Sequence, residues 1–525
     1  MRAAALLTGA LPALAFPAVD AGWFAWVALI PQLLLLRSAR SGRAAAALGW
    51  WAGAGYILAT TYWLVPDLGP GLAVVAGLLG ALWIPWGWLA HDLLRTDRPD
   101  VDPHEPGEPP GASGPTTAWP LGWRALAALL VLPSAWVFVE TVRSWQSLGG
   151  PWALLGVSQW RHPALLGLAA VGGVWLLSAA IVATNVALTV LLLTGHAALR
   201  RVRGRGRGQV RGGTERSNRT AVVLAAAAVL TAVVAIGAGP LWAARYPLPP
   251  PTRTIRVALI QPGVVANPTA RFDASATLTA GLRGQPLDLV VWGESSVGFD
   301  LGTRPDLRAR IERLSAALGS DVLVNVDARA PGGGIFKTAV LVGPVGILGT
   351  YEKTRLVPFG EYVPLRPVLG WLSRVSRAAA EDRRRGRGPL VLHAGAVAFG
   401  PLVCFESTFP DLSRYDATHG AALIVYQSAT STFQDSWTPA QHAAVGAVRA
   451  AESGRPVVQA ALTGVSIGFA ADGRRLGMLG TRDRGTLVVA VPLQTRETPY
   501  DAVGELVPLL AVLVLAGTIA GRLTG

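Results

Sequence analysis

Three residues of complementary chemistry stand near the ends of short apolar runs. Glu294 follows "DLVVWG", Lys353 lies in "GTYEKTRLVPFGEYVPLR" (349–366), and Cys404 follows "GPLV". Cys404 is the single cysteine of 525 residues. A thiol is a weak nucleophile until it loses its proton; a nearby base can take that proton and a nearby cation can lower the thiol pKa. An ammonium can also stabilise the oxyanion of a tetrahedral intermediate. Base, cation and nucleophile together make a complete set for acyl transfer. Each residue also has a plainer reading. Cys404 alone is a small core residue, Glu294 caps the turn after its strand, and Lys353 is a surface lysine. Of 46 basic side chains only Lys337 and Lys353 are lysine, so each stands out against the arginine bias of the chain.

The elements that must position these groups lie in residues 254–495. Strands are expected at 255–262, 287–294, 321–327, 338–344, 398–406, 421–427, 456–462 and 485–492, from short runs rich in Val, Ile and Leu. Helical spacing ends at a glycine in 304–319 and in 439–454. Strands alternating with helices indicate an α/β domain with buried sheets, and ligands in such sheets gather at strand ends. The Gly cluster in "APGGGIFKTAV" (330–340) lacks the ending of a phosphate loop and reads as a turn. The seven histidines form no zinc-binding pattern. His393, His419 and His442 remain formal partners for Cys404 in a Cys–His pair, without a matching motif.

The rest of the chain is of another kind. It is 51% hydrophobic and 15% charged, with a mean hydropathy of +0.41, as expected of an integral membrane protein. Apolar runs of spanning length fall at about 3–19, 22–36, 44–64, 70–94, 122–141, 164–194, 220–244 and 504–521. The first two pair as a helical hairpin, and the sixth, which carries Asn185, is expected to tilt or break. Arginine-rich segments at 37–43 and 200–219 lie on one side of this pattern and would be cytoplasmic. The loop at 95–121 would share that side and be disordered. Residues 245–503 then face outwards. This topology explains the net charge of +14 better than binding of nucleic acid does. Trp23, Trp50, Trp51, Tyr62, Trp63, Trp86 and Trp88 read mostly as an interfacial belt.

The order Glu, Lys, Cys, with these flanks, resembles the nitrilase superfamily. Within it, "KTRLVPFGEYVPLR" (353–366) resembles the lysine motif of the apolipoprotein N-acyltransferase family, and "WVFVETVRSWQSLGGPWALLGVSQ" (136–159) resembles that family's fifth span and the loop after it. The resemblance implies a multi-pass α-helical membrane domain with about eight spans and an extracytoplasmic α/β nitrilase-like αββα sandwich. Its domains would be 1–245 (seven helices), 254–495 (catalytic) and 504–521 (the last helix). Glu294 would be the general base, Lys353 the oxyanion stabiliser and Cys404 the acyl-accepting nucleophile. Glu361 would support the site, Phe405 and Glu406 match the positions after the cysteine, and Phe272 takes the place of a substrate-contacting aromatic. Departures are Trp292-Gly293-Glu294 in place of Trp-Pro-Glu, "YQSATSTFQDSW" (426–437) in place of an Asn-Asp-Ala-Trp stretch, and Leu462-Thr463-Gly464 in place of Asn-Thr-Gly.

The function so implied is a ping-pong transfer through a thioester, the last step of lipoprotein maturation. A phospholipid donates the acyl chain and the N-terminal amine of a diacylglyceryl-cysteine apolipoprotein accepts it. No cofactor or metal is expected, the chain would be a monomer, and the setting is the bacterial cytoplasmic membrane. Mobile loops near Glu361 and at 366–388 would form an apolar entrance, while "EDRRRGRG" (381–388) reads as a solvated run. Glu361 and Glu406 can equally form ion pairs with arginines. Arg449, Glu452 and Arg455 read as structural. The alternatives are a membrane-tethered amidase that passes the acyl group to water, and a scaffold or transport protein that has lost activity.

Overall fold

The computed structural model describes residues 1–95, 121–204, 214–329, 333–371 and 381–523. Nearly all of the 95–121 loop, and residues 205–213 in the middle of the arginine-rich 200–219 segment, therefore fall outside the described residues.

The N-terminal half is helical. Its longer helices are α1 (Arg2–Ala10), α2 (Ile30–Arg37), α3 (Gly42–Thr61), α4 (Gly71–Leu94, through a 3-10 turn), α5 (Leu121–Arg143), α6 (Pro163–Gly204) and α7 (Thr214–Arg245). Among the described residues, α4, α5, α6, α7 and a C-terminal helix, Leu506–Leu523, are long and apolar enough to cross a membrane. The first two expected spans are short helices continued by 3-10 turns. The sixth is broken, but not at Asn185. Non-helical angles occur at Gly172 and Gly173, while Asn185 stays helical and bonds the chain at Ala25 and Leu29. Gly173 has φ +70°, a conformation that glycine adopts without a Cβ penalty. Trp86 does not face outwards: fully buried, it lies 5.4 Å from Trp136 and donates to the Leu132 carbonyl.

Among the described residues, the C-terminal half holds two six-stranded sheets, ordered β12-β1-β2-β3-β4-β5 and β11-β10-β9-β8-β7-β6. The strands of the first are β1 (Thr254–Gln261), β2 (Leu289–Trp292), β3 (Asp321–Arg329), β4 (Ile335–Gly343), β5 (Gly346–Glu352) and β12 (Gly485–Pro492). The second has β6 (Leu392–Ala394), β7 (Val397–Val403), β8 (Leu423–Ser428), β9 (Val457–Ala461), β10 (Ser466–Phe469) and β11 (Arg475–Leu479). In each sheet three neighbouring strands run parallel, β1-β2-β3 and β7-β8-β9.

Alternation of side chains along a strand divides the core. Val257, Leu259, Leu289, Val291 and Leu323 face the second sheet. Ala258, Ile260, Val290, Trp292, Val322 and Val324 face the opposite way. Two helices cover this outer face, α8 (Pro268–Ala280) and α9 (Pro305–Leu318). On the far side of the second sheet lie α10 (Pro410–Thr418) and α11 (Thr438–Ser453), and α11 also packs on α6. The order helix, sheet, sheet, helix thus ends against the apolar helices. The C-terminal helix becomes α12 (Leu506–Leu523).

Candidate active site

Glu294, Lys353 and Cys404 all follow the C-terminal ends of strands: β2 with Gly293 between, β5 directly, and β7 directly. The two sheets bring these ends together. Lys353 Nζ lies 3.2 Å from Glu294 Oε1 and 2.8 Å from Glu361 Oε1. The Cys404 thiol and the Glu294 carboxylate interact electrostatically, and the sulfur itself lies 4.0 Å from the Ala429 carbonyl oxygen. Cys404 opens a 3-10 turn and is itself at φ +50°. That sharp reversal turns its side chain out of the strand, at a local cost of about 1 kcal/mol or more.

Electrostatics follow from this arrangement. Burial alone would push Glu294 up, but Lys337 and Lys353 outweigh it and hold the carboxyl down at about 2. Burial and the Glu294 carboxylate push the Cys404 thiol up to about 12, against the pull of Lys353. Lys353 is disfavoured by burial, yet Glu294 and Glu361 carry it well above the ordinary lysine value. The resting site is therefore a carboxylate, an ammonium and a neutral thiol.

Among the described residues, neither Glu361 nor Glu406 pairs with an arginine side chain. Glu361 ties Lys353 to its own loop, accepting from Val357 N at 2.8 Å through its other oxygen. Glu406 is fully buried and takes five bonds. Oε1 accepts from Tyr351 OH (2.8 Å), Thr354 N (2.6 Å), Thr354 Oγ1 (2.7 Å) and Arg355 N (3.0 Å), and Oε2 from Val403 N (2.8 Å). Thr354 follows Lys353 and Val403 precedes Cys404, so one carboxylate clamps the lysine loop to the cysteine turn. Phe405 packs edge-on against Phe409 and lies over Gly150, in the loop after α5.

Phe272 is not brought to the site. It is fully buried on α8, in the core between helix and sheet, 5.6 Å from Trp292. The expected contact with substrate is replaced by packing, because α8 turns its apolar face to the sheet. Of the histidines, His442 approaches Cys404, but its Nε2 lies 3.1 Å from the Cys404 carbonyl oxygen. It braces the turn through Ser407 and Ser428 as well. His419 is stacked on Tyr415.

The departures in sequence have local reasons. A Cβ on Gly293 would stand 2.0 Å from Leu462 N and 2.7 Å from Ala461 C. Glycine is what lets the Glu294 turn approach the end of β9. Within 426–437, Phe433 packs on Trp63 and Trp437 on Tyr62, joining this loop to the helical half. Thr463 holds Thr430 N and Ser431 Oγ. The 381–388 run has mostly exposed arginines, but its backbone is not free: Arg383 N donates to Glu361 O and Gly386 N to Lys353 O. The scarcity of lysine singled out Lys337 in the sequence without giving it a role; its Nζ also lies 3.2 Å from Glu294 Oε1.

Residues 256–500 match the carbon-nitrogen hydrolase family. Residues 8–187 match the apolipoprotein N-acyltransferase N-terminal domain. The chain is 30% identical over 523 residues to the apolipoprotein N-acyltransferase of Azotobacter vinelandii (94% of this chain, 90% of that one) and 29% identical over 522 residues to that of Geobacter metallireducens (95% and 91%). It belongs to the apolipoprotein N-acyltransferase family. Among solved structures, an amidase from Nesterenkonia sp. covers 45% of this chain and 90% of its own, at 22% identity and TM-score 0.34.

Proposed function

We propose that this chain transfers an acyl chain from a membrane phospholipid to the N-terminal amine of a diacylglyceryl-cysteine apolipoprotein. The observation that carries the reading is the convergence of three strand ends, which brings Glu294, Lys353 and Cys404 together with Lys353 Nζ 3.2 Å from the Glu294 carboxylate. Glu294 takes the thiol proton as sulfur attacks the ester carbonyl. Lys353 stabilises the oxyanion, the C–O bond breaks, and the lysophospholipid leaves with the proton. The acceptor amine then attacks the thioester, forming C–N and breaking C–S, and its proton returns to sulfur.

Both substrates are amphiphiles, which gives the apolar helices a task. In this reading eight spans cross the bacterial cytoplasmic membrane, seven within 1–245 and one at 504–521, and 254–495 works as a monomer on the outer face. Exposed Leu365, Val368 and Trp371, just beyond Glu361, suit an apolar entrance for acyl chains. No nucleic acid takes part, and the arginine-rich 200–219 segment serves topology. Hydrolysis of a small amide leaves the match over 8–187 and the contact of Phe405 with Gly150 without a purpose.

The test replaces Cys404 by Ala and reads lipoprotein N-termini by mass spectrometry. Loss of the N-acyl group is expected. Continued N-acylation in cells without another such transferase sinks the reading.

A further inference from the structure

The chain has two lysines, and both ammoniums reach one oxygen. Lys337 Nζ and Lys353 Nζ each lie 3.2 Å from Glu294 Oε1. The β3-β4-β5 ladder creates this. Lys337 stands opposite Asp327 across β3 and β4, and Lys353 N donates to the Lys337 carbonyl. Lys337 directs its ammonium at three groups: Glu294, Asp327 Oδ1 at 3.3 Å and Ser295 Oγ at 2.9 Å. Ser295 is at φ +56° directly after the base, so the same side chain steadies that turn.

The two lysines are not equivalent. Lys353 senses the sulfur as well as both glutamates. It favours negative charge on the thiol and on the carboxylate alike. Lys337 Nζ is held by Glu294, Asp327 and Ser295, and Glu294 is its largest electrostatic partner. It favours negative charge on Glu294 alone. Arg271 of α8 also interacts electrostatically with Asp327. A carboxylate shared by two ammoniums is a weak base, and a site with one lysine would release the thiol proton more readily.

We propose that Lys337 is a positioning residue that sets where the Cys404–Glu294 proton rests. It keeps the carboxylate ionised and the thiol protonated until an acyl ester and its developing oxyanion draw the negative charge toward Lys353. The resting enzyme is thereby protected from adventitious attack on its thiol, and Glu294 is ready to take the proton once an ester is in place. The inference rests on Glu294 being the base.

The test follows alkylation of Cys404 by iodoacetamide in the full-length protein in detergent micelles, from pH 4.5 to 8. The variants are Lys337→Gln, which loses the charge but can still bond Ser295, Lys337→Arg, which keeps the charge, and Glu294→Gln. Relative to the parent protein, Lys337→Gln is expected to react faster at pH 8 and to lose that advantage in acid, its rate ratio falling about threefold or more as Glu294 gains a proton. Lys337→Arg is expected to keep the parent profile. A Lys337→Gln protein slowed by one constant factor at every pH overturns the proposal, since a merely structural lysine behaves that way. Should Lys337→Gln fail to fold, Lys337→Met carries the same comparison. Parent-like alkylation in Glu294→Gln instead overturns the assignment of the base.

Discussion

Glu406 offers the sharpest test of how the site is held. Glu406→Gln keeps the shape and removes the charge. The amide oxygen can stay on the side that faces Tyr351, Thr354 and Arg355. The NH2 group must then face Val403 N, which donated to Oε2 at 2.8 Å. Two donors meet, and an unsatisfied buried donor costs about 1–3 kcal/mol. The four bonds left on the oxygen weaken, since charged acceptors bind roughly twice as strongly as neutral ones. Relief from burying a charge, which pushes the Glu406 carboxyl up, offsets part of this. A net loss of about 2–3 kcal/mol is expected. It falls on the clamp between the lysine loop and the cysteine turn, so turnover should drop about 30- to 150-fold if it is fully expressed in the transition state. The assay is acyl transfer from phospholipid to a diacylglyceryl peptide in micelles, with kcat and KM separated and thermal unfolding run alongside. A Glu406→Gln enzyme with kcat within threefold of the parent, and an unchanged melting temperature, would falsify the clamp.

Two further outcomes follow. Gly293→Ala sets a Cβ 2.0 Å from backbone that cannot rotate away; a cost of about 1–3 kcal/mol or more is expected, with Cys404 alkylation lowered because Glu294 shifts, and a variant that melts and alkylates like the parent refutes the close packing. Glu294 falls from the ordinary 4.5 to about 2 on folding, so its contribution to stability is complete above pH 4.5 and is lost as the pH falls toward 2. Up to about 3 kcal/mol should disappear across that window, seen as a steeper acid-side loss of melting temperature in the parent than in Glu294→Gln; identical acid limbs count against the pairing.

How much of this was legible depends on the range of the interaction. Strand-end placement of Glu294, Lys353 and Cys404 was readable because each follows a short apolar run, and the eight expected strands all exist near their expected positions. The four missed strands, β5, β6, β10 and β11, are short or half-exposed, so neither length nor alternation marks them. The clamp at Glu406 was not readable, since its donors lie about 50 residues away or are backbone groups. Phe272 misled because α8 went unread; once Pro268–Ala280 is a helix, an apolar ring on its sheet-facing side belongs to the core. The break in α6 was signalled by the Gly172–Gly173 pair, whereas the lone polar Asn185 drew attention to a point where the helix is continuous.

The break in α6 also shows how the two halves act on one another. The second half of that helix begins at Val174, whose N–H donates to Glu452 Oε1 at 2.6 Å, a carboxylate on a helix N-terminus as the dipole prefers. Glu452 is held in turn by Arg449, both fully buried. Both lie on α11, whose other end carries His442 against the Cys404 carbonyl and Gln441 against Trp152 of the loop after α5. One helix thus spans from the cysteine turn to the membrane helix. Glu452→Gln keeps Oε1 for Val174 N and Arg449 Nη2 but removes the charge and turns an NH2 group toward buried Arg449 Nε, and breaking that buried ion pair should cost about 3–5 kcal/mol. The cost falls at the joint, remote from the thiol. Alkylation by small, water-soluble iodoacetamide should therefore stay within about twofold of the parent, while transfer from phospholipid falls about tenfold or more. Equal losses in both assays would mean that α11 merely supports the whole fold, and no loss in either would mean that Glu452 does not couple the halves.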